Sequence, residues 1–396
     1  MKKIVVIGTG SGLSTLTTEA SEAIANAQVL LGAPRLLALV AEFAGRSYPI
    51  YNAADVAEVI AKEAAEEFAV LVSGDVGFYS AAAELNAVLD IYDLRFIPGI
   101  STVNAFFARL RRPWQDAALI SAHGREANLA DTVRRNRLTF CLTGNNASDL
   151  GAVLCRAGFG YIQTHVGENL GGNNERVYET TASALAQGSL PQLTVLLFEN
   201  EQFDDRTPCG LSDGSFIRLD GVPMTKSETR ALVMSKLSLR STDICWDIGA
   251  GTGSVTVEMA LSVYRGHVYA VERREEAVTL IAQNCAAFHI GNVTAIHGRA
   301  PGALEALTTP DAVFVGGSGG EMPVIFDMIL RKNPNARIVV TAVTLETVTS
   351  ALDAFTKAGL EPEITQISAA RAGNVGGLHL MEAQNPVTIL SSGGTQ

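Results

Sequence analysis

Cysteine is scarce and scattered in this sequence: five residues (Cys141, Cys155, Cys209, Cys245, Cys285) among 396, with no C-x-x-C spacing. That argues against a disulfide framework or a structural zinc site and fits reduced thiols in a cytoplasmic protein. Aromatic residues are few, at 6%, against 37 glycines, a balance that suits a glycine-looped α/β enzyme better than a β-sandwich. Long apolar runs are missing. The N-terminal run Ile4–Ile7 ends in glycines, too short for a signal-peptide core, and no window approaches the roughly 18 apolar residues of a membrane span. An excess of basic charge is missing too. Thirty Lys plus Arg against 41 Asp plus Glu leave a formal net charge of −11, a poor basis for general binding of nucleic acid or anionic membranes.

What is present is alternation. Short β-branched runs such as Ile4–Ile7, Ala69–Val72, Leu138–Leu142 and Thr194–Phe198 alternate with Ala-rich stretches of helical spacing such as Asp55–Glu67. This pattern predicts α/β units on largely parallel sheets. The interruption Leu110-Arg111-Arg112-Pro113-Trp114 predicts two lobes with a boundary near 113. After Asn200 the pattern stops in a polar stretch rich in Asp, Gly and Pro, then restarts near Thr225. The expected division is a bilobed domain over 1–205, a linker over 206–222, and a second α/β domain over 223–396. Glu363–Ile367 and Leu378–Leu390 read as strands without a helix between them, so the last sheet is expected to close with an antiparallel pair.

The sharpest motif is Asp247-Ile248-Gly249-Ala250-Gly251-Thr252-Gly253, a strand-terminal acid followed by a glycine turn into a helix. Glycines permit the tight turn and close backbone approach, and the helix start turns N–H groups towards a ligand. The spacing G-x-G-x-G differs from that of dinucleotide binders. It resembles the class I S-adenosylmethionine (SAM) methyltransferases, which implies a Rossmann-like fold. The next strand ends in Glu272, placed to accept hydrogen bonds from both ribose hydroxyls. The third ends at His297-Gly298-Arg299-Ala300, beside the expected adenine position, where Arg299 cannot accept a bond from the adenine amine and the backbone near Ala300 would serve. The fourth runs into Gly316-Gly317-Ser318-Gly319-Gly320. From Gly221 onward, Pro223-Met224-Thr225-Lys226-Ser227-Glu228, the glycine turn, Val313-Phe314-Val315 with its glycine loop, Thr341–Glu346 and Leu380–Val387 resemble, in order, the precorrin methyltransferase/decarboxylases of the cobalamin pathway. That resemblance implies a SAM site at Thr225, Gly249, Ala250, Gly251, Thr252, Gly253, Glu272 and Ala300, and substrate contacts at Gly317 and Ser318.

The first half opens on a second glycine loop, Gly8-Thr9-Gly10-Ser11-Gly12, but the strand after it ends in Gly32-Ala33-Pro34-Arg35 with no carboxylate. An ordinary nucleotide site is therefore not expected there. With Ser73–Ser80, Pro98–Thr102, Ala122-His123-Gly124-Arg125 and Val166–Leu170, residues 1–200 resemble the tetrapyrrole methylase family. The resemblance implies SAM held between two lobes by Gly74, Asp75, Val76, Ser101, Thr102 and the strand end at Leu142. Arg109, Arg112 and Arg125 are candidates for gripping a polycarboxylate, because guanidinium forks match carboxylates.

Together the two resemblances imply methylation of one precorrin macrocycle at C5 by the first half and at C15 by the second, with loss of CO2 from the ring C (C12) acetate. Such methyl transfer needs alignment more than acid–base groups. Glu321, His379 and His123 are the candidate catalytic residues, and no metal site is expected. A homo-oligomer acting on a small tetrapyrrole, without nucleic-acid or membrane partners, is the expected setting. The competing reading is a class I RNA or protein methyltransferase with an N-terminal recognition module, which would call for a basic face.

Overall fold

The computed structural model describes residues 1–43, 45–122, 128–144, 146–206 and 209–392, the side chain of Phe43 excepted. By its contacts the chain divides into two units, Met1–Glu126, Arg137–Gly151 and Ile162–Glu201 in the first, and Ala127–Asn136, Ala152–Tyr161 and Gln202–Gln396 in the second.

The first unit carries two sheets. β1 (Lys3–Gly8), β2 (Val29–Gly32), β3 (Arg46–Tyr48), β4 (Glu67–Val72) and β5 (Asp93–Ile97) pair in the order β3-β2-β4-β1-β5, all parallel. Alternate side chains supply two cores: Ile4, Val6, Val29, Leu31, Phe68 and Val70 on one face, Ile7, Leu30, Ala69 and Leu71 on the other. Burial on both faces is why the central strands β1, β2 and β4 read as apolar runs. β6 (Ala117–Ser121), β7 (Leu138–Leu142), β8 (Gln163–Glu168), β9 (Arg176–Thr181) and β10 (Thr194–Glu199) form the second, mixed sheet in the order β6-β7-β10-β8-β9. The helix Thr102–Leu110 leads from one sheet to the other, capped by Ser101 at its start and ended by Arg111 in the left-handed conformation.

The second unit is built on β11 (Ile244–Ile248), β12 (His267–Glu272), β13 (Val293–His297), β14 (Ala312–Val315), β15 (Arg337–Ala342), β16 (Glu363–Ile367) and β19 (Val387–Ser392), in the order β13-β12-β11-β14-β15-β19-β16. β19 is antiparallel to both neighbours, so the sheet closes with the expected antiparallel pair. The expected strand over 378–390 is split, however. β17 (Ala370–Val375) and β18 (Leu378–Ala383) form a separate two-stranded hairpin whose β18 side chains are all exposed. A strand order that reverses between β11 and β14 leaves a crevice beyond their carboxyl ends, where α/β sheets bind ligands.

The segment 206–222 departs from its reading as a linker. Gly210 and Leu211 donate their amides to Glu258 at 2.8 and 2.9 Å, Phe216 enters the core, and Asp213 is buried against Arg230. Asp213 serves a buried charge partner, while Ser212, Arg218 and Asp220 remain exposed. No helix among the described residues is long and apolar enough to cross a membrane.

Candidate functional site

In the second unit the β11 strand delivers Asp247 and Ile248 to the glycine turn, which opens into the helix Ser254–Ser262. Gly251 has φ +54°, and a Cβ there would lie 2.5 Å from the Pro223 carbonyl oxygen, so no other residue fits between the turn and the strap 221–225 above it. Thr252 donates its amide to that same oxygen at 3.2 Å. A cleft of about 190 Å³ opens beside the turn. Pro223, Gly249 and Gly251 line one wall, Glu272, Arg273 and Arg274 a second, Gly298, Arg299 and Ala300 a third, and Gly316–Gly319 the fourth.

Glu272 closes β12 with its carboxylate buried. One oxygen accepts the amides of Arg273 and Arg274 at 2.9 and 3.1 Å, and the other accepts the amide of Gly251 at 3.0 Å. A carboxylate offers about four lone-pair positions. Three are taken, which leaves one acceptor for a ligand hydroxyl, where the strand-end position alone predicted two.

Two buried oxygens in the turn have no hydrogen-bond partner, Asp247 Oδ1 and Thr252 Oγ1. Buried polar atoms are nearly always satisfied, so the pair stands out, although both residues lie beneath the turn and neither lines the cleft. Burial pushes the Asp247 carboxyl up to about 7; the hydroxyl of Thr256 opposes the rise and the charge of Glu272 adds to it. The strand-terminal position of Asp247 was visible in the motif, but its unpartnered oxygen was not.

Of the expected residues here, Gly249, Gly251, Glu272, Ala300, Gly317 and Ser318 line the cleft. Ala250 is tied by its amide to Val271, and Gly253 caps the helix, so both shape the turn. The Thr225 carbonyl accepts from Arg230 and from Ser254 Oγ, which places Thr225 in the strap and not on the cleft wall. Glu321 stands at the start of the helix Met322–Lys332, 3.8 Å from Arg299, outside the lining. His379 does not lie on the closing strand pair. It sits on β18, opposite Asn374 and exposed. Sequence reasoning missed Arg273, Arg274 and the bond that Arg299 donates to the Gly319 carbonyl at 3.0 Å across the cleft mouth.

In the first unit the ends of β1, β4 and β5 meet. A Cβ on Gly99 would lie 2.2 Å from the Gly74 oxygen and 2.5 Å from the Gly8 oxygen. Gly74 and Gly10 exchange amide-to-carbonyl bonds at 3.0 Å in both directions. Asp75 accepts the amides of Gly77 at 2.8 Å and Gly99 at 3.1 Å, so its carboxylate shapes the loop. Thr102 lies close by, its hydroxyl 3.7 Å from where a Gly74 Cβ would stand, while Ser101 is spent on capping Asn104. Val76 is half-buried against the first core, and Leu142 ends β7 in the second sheet.

Two of the three arginines of the expected clamp already have carboxylate partners. Arg109 forms a two-pronged pair with Glu175 at 2.9 and 3.2 Å, and Arg112 one with Glu199 at 2.7 and 3.0 Å. Glu199 is buried at the end of β10, opposite Leu138 of β7, and also meets His165 at 3.3 Å. Both guanidiniums are thus committed to internal carboxylates. His123 and Arg125 lie outside the described residues.

Residues 3–186 match the family model of tetrapyrrole (corrin/porphyrin) methylases, and residues 216–393 match a precorrin methyltransferase domain. A precorrin-6Y C(5,15)-methyltransferase [decarboxylating] from Sinorhizobium sp. is 32% identical over 97% of this chain and 95% of its own length. A probable cobalt-precorrin-6B C(15)-methyltransferase (decarboxylating) from Pyrobaculum calidifontis is 42% identical, covering 46% of this chain and 95% of the relative. The crystal structure of a precorrin-6y C5,15-methyltransferase from Geobacter metallireducens GS-15 shares 34% identity over 47% of this chain and 97% of that one, with a TM-score of 0.44.

Proposed function

The chain belongs to the precorrin-6Y C5,15-methyltransferase (decarboxylating) family, and from that premise we propose that each of its units holds its own methyl-donor site for one shared macrocycle. The enzyme is a SAM-dependent methyltransferase of cobalamin biosynthesis. It methylates a precorrin at C5 and C15 with loss of CO2, and the carboxyl we assign to that loss is the ring C acetate. We assign the C15 and decarboxylation steps to residues 223–396, where the precorrin methyltransferase domain model matches over 216–393. The C5 step falls to the tetrapyrrole methylase half.

The observation that carries the second-unit site is Glu272, buried and bonded to Gly251, with one acceptor left facing the cleft. When bound, SAM supplies an electrophilic methyl on a sulfonium. Glu272 would take a ribose hydroxyl, the glycine turn with Asp247 and Thr252 beneath it the polar end, and the backbone near Ala300 the adenine edge. Gly317 and Ser318 would face the macrocycle, leaving the substrate carbon as nucleophile and the protein the task of alignment. Three arginines on this cleft, Arg273, Arg274 and Arg299, provide the local positive charge that a polycarboxylate needs within an acidic protein. In the first unit the donor would lie over Gly74, Asp75, Val76 and Thr102, near Leu142.

Methyl-labelled SAM and a metal-free precorrin test this. Two methyl groups and one CO2 per macrocycle are expected, and S-adenosylhomocysteine (SAH) should bind at two sites per chain. No methyl incorporation overturns the reading, and a single SAH site overturns the two-donor assignment. A cytoplasmic homo-oligomer is the expected form. Val375, Leu378, Leu380 and Met381, apolar and exposed on the hairpin, support self-association, which sedimentation would measure.

A further inference from the structure

We propose that Arg371, on the exposed hairpin, is a positioning residue for the second-unit methyl-donor cleft, acting through Asp213 and Arg230 on the strap 221–225. This rests on the reading of that cleft as a donor site. A lone two-stranded hairpin is marginal on its own and needs an anchor. Arg371 is that anchor. Its guanidinium donates to Glu228 at 2.9 Å, to Ser227 Oγ at 2.9 Å and to Asp213 Oδ2 at 2.7 Å. The other Asp213 oxygen accepts from Arg230 at 2.9 Å. Arg230 is 0% exposed, and so is its second carboxylate partner, Glu258, at 2.8 Å.

A guanidinium buried this deeply has no water to turn to, so its orientation is set by its carboxylates. It spends two further donors on the Leu211 and Thr225 carbonyls, with the Phe216 ring 4.7 Å beneath it. Thr225 is the end of the strap whose Pro223 lies on the cleft wall and holds the Thr252 amide. The connection therefore runs from hairpin to Asp213, to Arg230, to the Thr225 carbonyl, to the roof of the glycine turn. Without Arg371, Asp213 is held from one side only and can swing. Arg230 then loses its fixed aim at Thr225, and the strap loosens above Gly251. Part of the chain far from the methyl donor in sequence thereby sets how tightly the donor is covered.

SAH titrations by calorimetry on the full chain test this with four proteins: wild type, Gly251→Val, Arg371→Ala and Arg371→Lys. Gly251→Val removes the space under the strap, so the binding phase it abolishes belongs to the second-unit cleft. If wild type has no such phase, the donor-site reading fails and not the positioning role. In Arg371→Ala that phase should weaken by roughly three- to thirtyfold, while the first-unit phase and the C5 step stay unchanged, and Arg371→Lys should recover part of the loss. A change below threefold, whatever happens to Tm, overturns the proposal, because a purely structural anchor lowers Tm without moving the affinity of the folded protein. Should Arg371→Ala fail to fold, Arg371→Met, which keeps the aliphatic stem, is read by the same criterion.

Discussion

Glu272 reaches back across the glycine turn to accept the amide of Gly251 at 3.0 Å, so the acid that ends one strand fixes the loop that follows its neighbour. Gln at this position offers one acceptor oxygen and turns an NH2 towards amides that are themselves donors. Charge-assisted bonds of this kind contribute about 1.5–3 kcal/mol each, so Glu272→Gln should weaken SAH binding at this cleft by roughly 10- to 100-fold. The C5 step should be unaffected. Equal loss of both methylations would show that the change acts on folding and not on the site.

Asp247 supplies a pH dependence. Its carboxyl is raised to about 7, first by burial. The unfolded chain loses that proton near pH 4. Between roughly pH 4 and about 7 the folded protein holds a proton that the unfolded protein has released, so this group's contribution to stability falls as pH rises through that window. Asp247→Asn should flatten that part of the profile in chemical denaturation. A cationic ligand group prefers the ionised form, so SAM affinity at this cleft should rise as pH passes 7, and the variant should lose the rise. A wild-type affinity that is flat from pH 6 to 8.5 would separate Asp247 from the ligand.

Arg112 tests the correction to the substrate clamp. Removing it leaves the buried Glu199 with His165 and with Arg137 at 3.4 Å. Loss of an ionic hydrogen-bond partner costs about 1–2 kcal/mol here, discounted because the guanidinium is about a third exposed. Arg112→Ala should therefore lower the stability of the first unit while leaving the KM for the precorrin unchanged. A large rise in KM with unchanged unfolding would restore Arg112 to the substrate.

These residues also show which parts of the molecule were legible in sequence. Asp247, the glycine turn and Glu272 lie within a short span, and their strand–turn–helix context follows from local pattern, so the place of the turn and of Glu272 at the cleft could be read directly. Arg109 and Arg112 could not, because their partners Glu175 and Glu199 lie 66 and 87 residues away and nothing local announces them. The segment 206–222 misled for the same reason. Its acids look solvated until Arg371, 158 residues after Asp213, is seen to bind one of them. The two neighbouring strands β18 and β19 merged in the reading because Gln384-Asn385-Pro386 interrupts two short strand-like runs too briefly to mark a change of sheet.

Gly99 offers the test that separates the two units most sharply. Its Cα faces the Gly74 and Gly8 carbonyls so closely that an alanine methyl would sit 2.2 and 2.5 Å from them. Both obstacles are backbone, which cannot rotate away as a side chain can, so the β5 end must move off the β1 and β4 ends. Asp75 then loses the Gly99 amide that it holds at 3.1 Å, and the loop carrying Gly74 and Asp75 loses its shape. Because the fold can yield at this rim without emptying either core, the expected outcome is specific. Gly99→Ala should cut the C5 step and remove one SAH phase, while C15 methylation and CO2 release proceed at the wild-type rate on a substrate already methylated at C5. Product analysis by mass, with both steps read from the same polypeptide, makes the second unit the internal control. An unchanged C5 rate would move the first donor site away from this glycine junction.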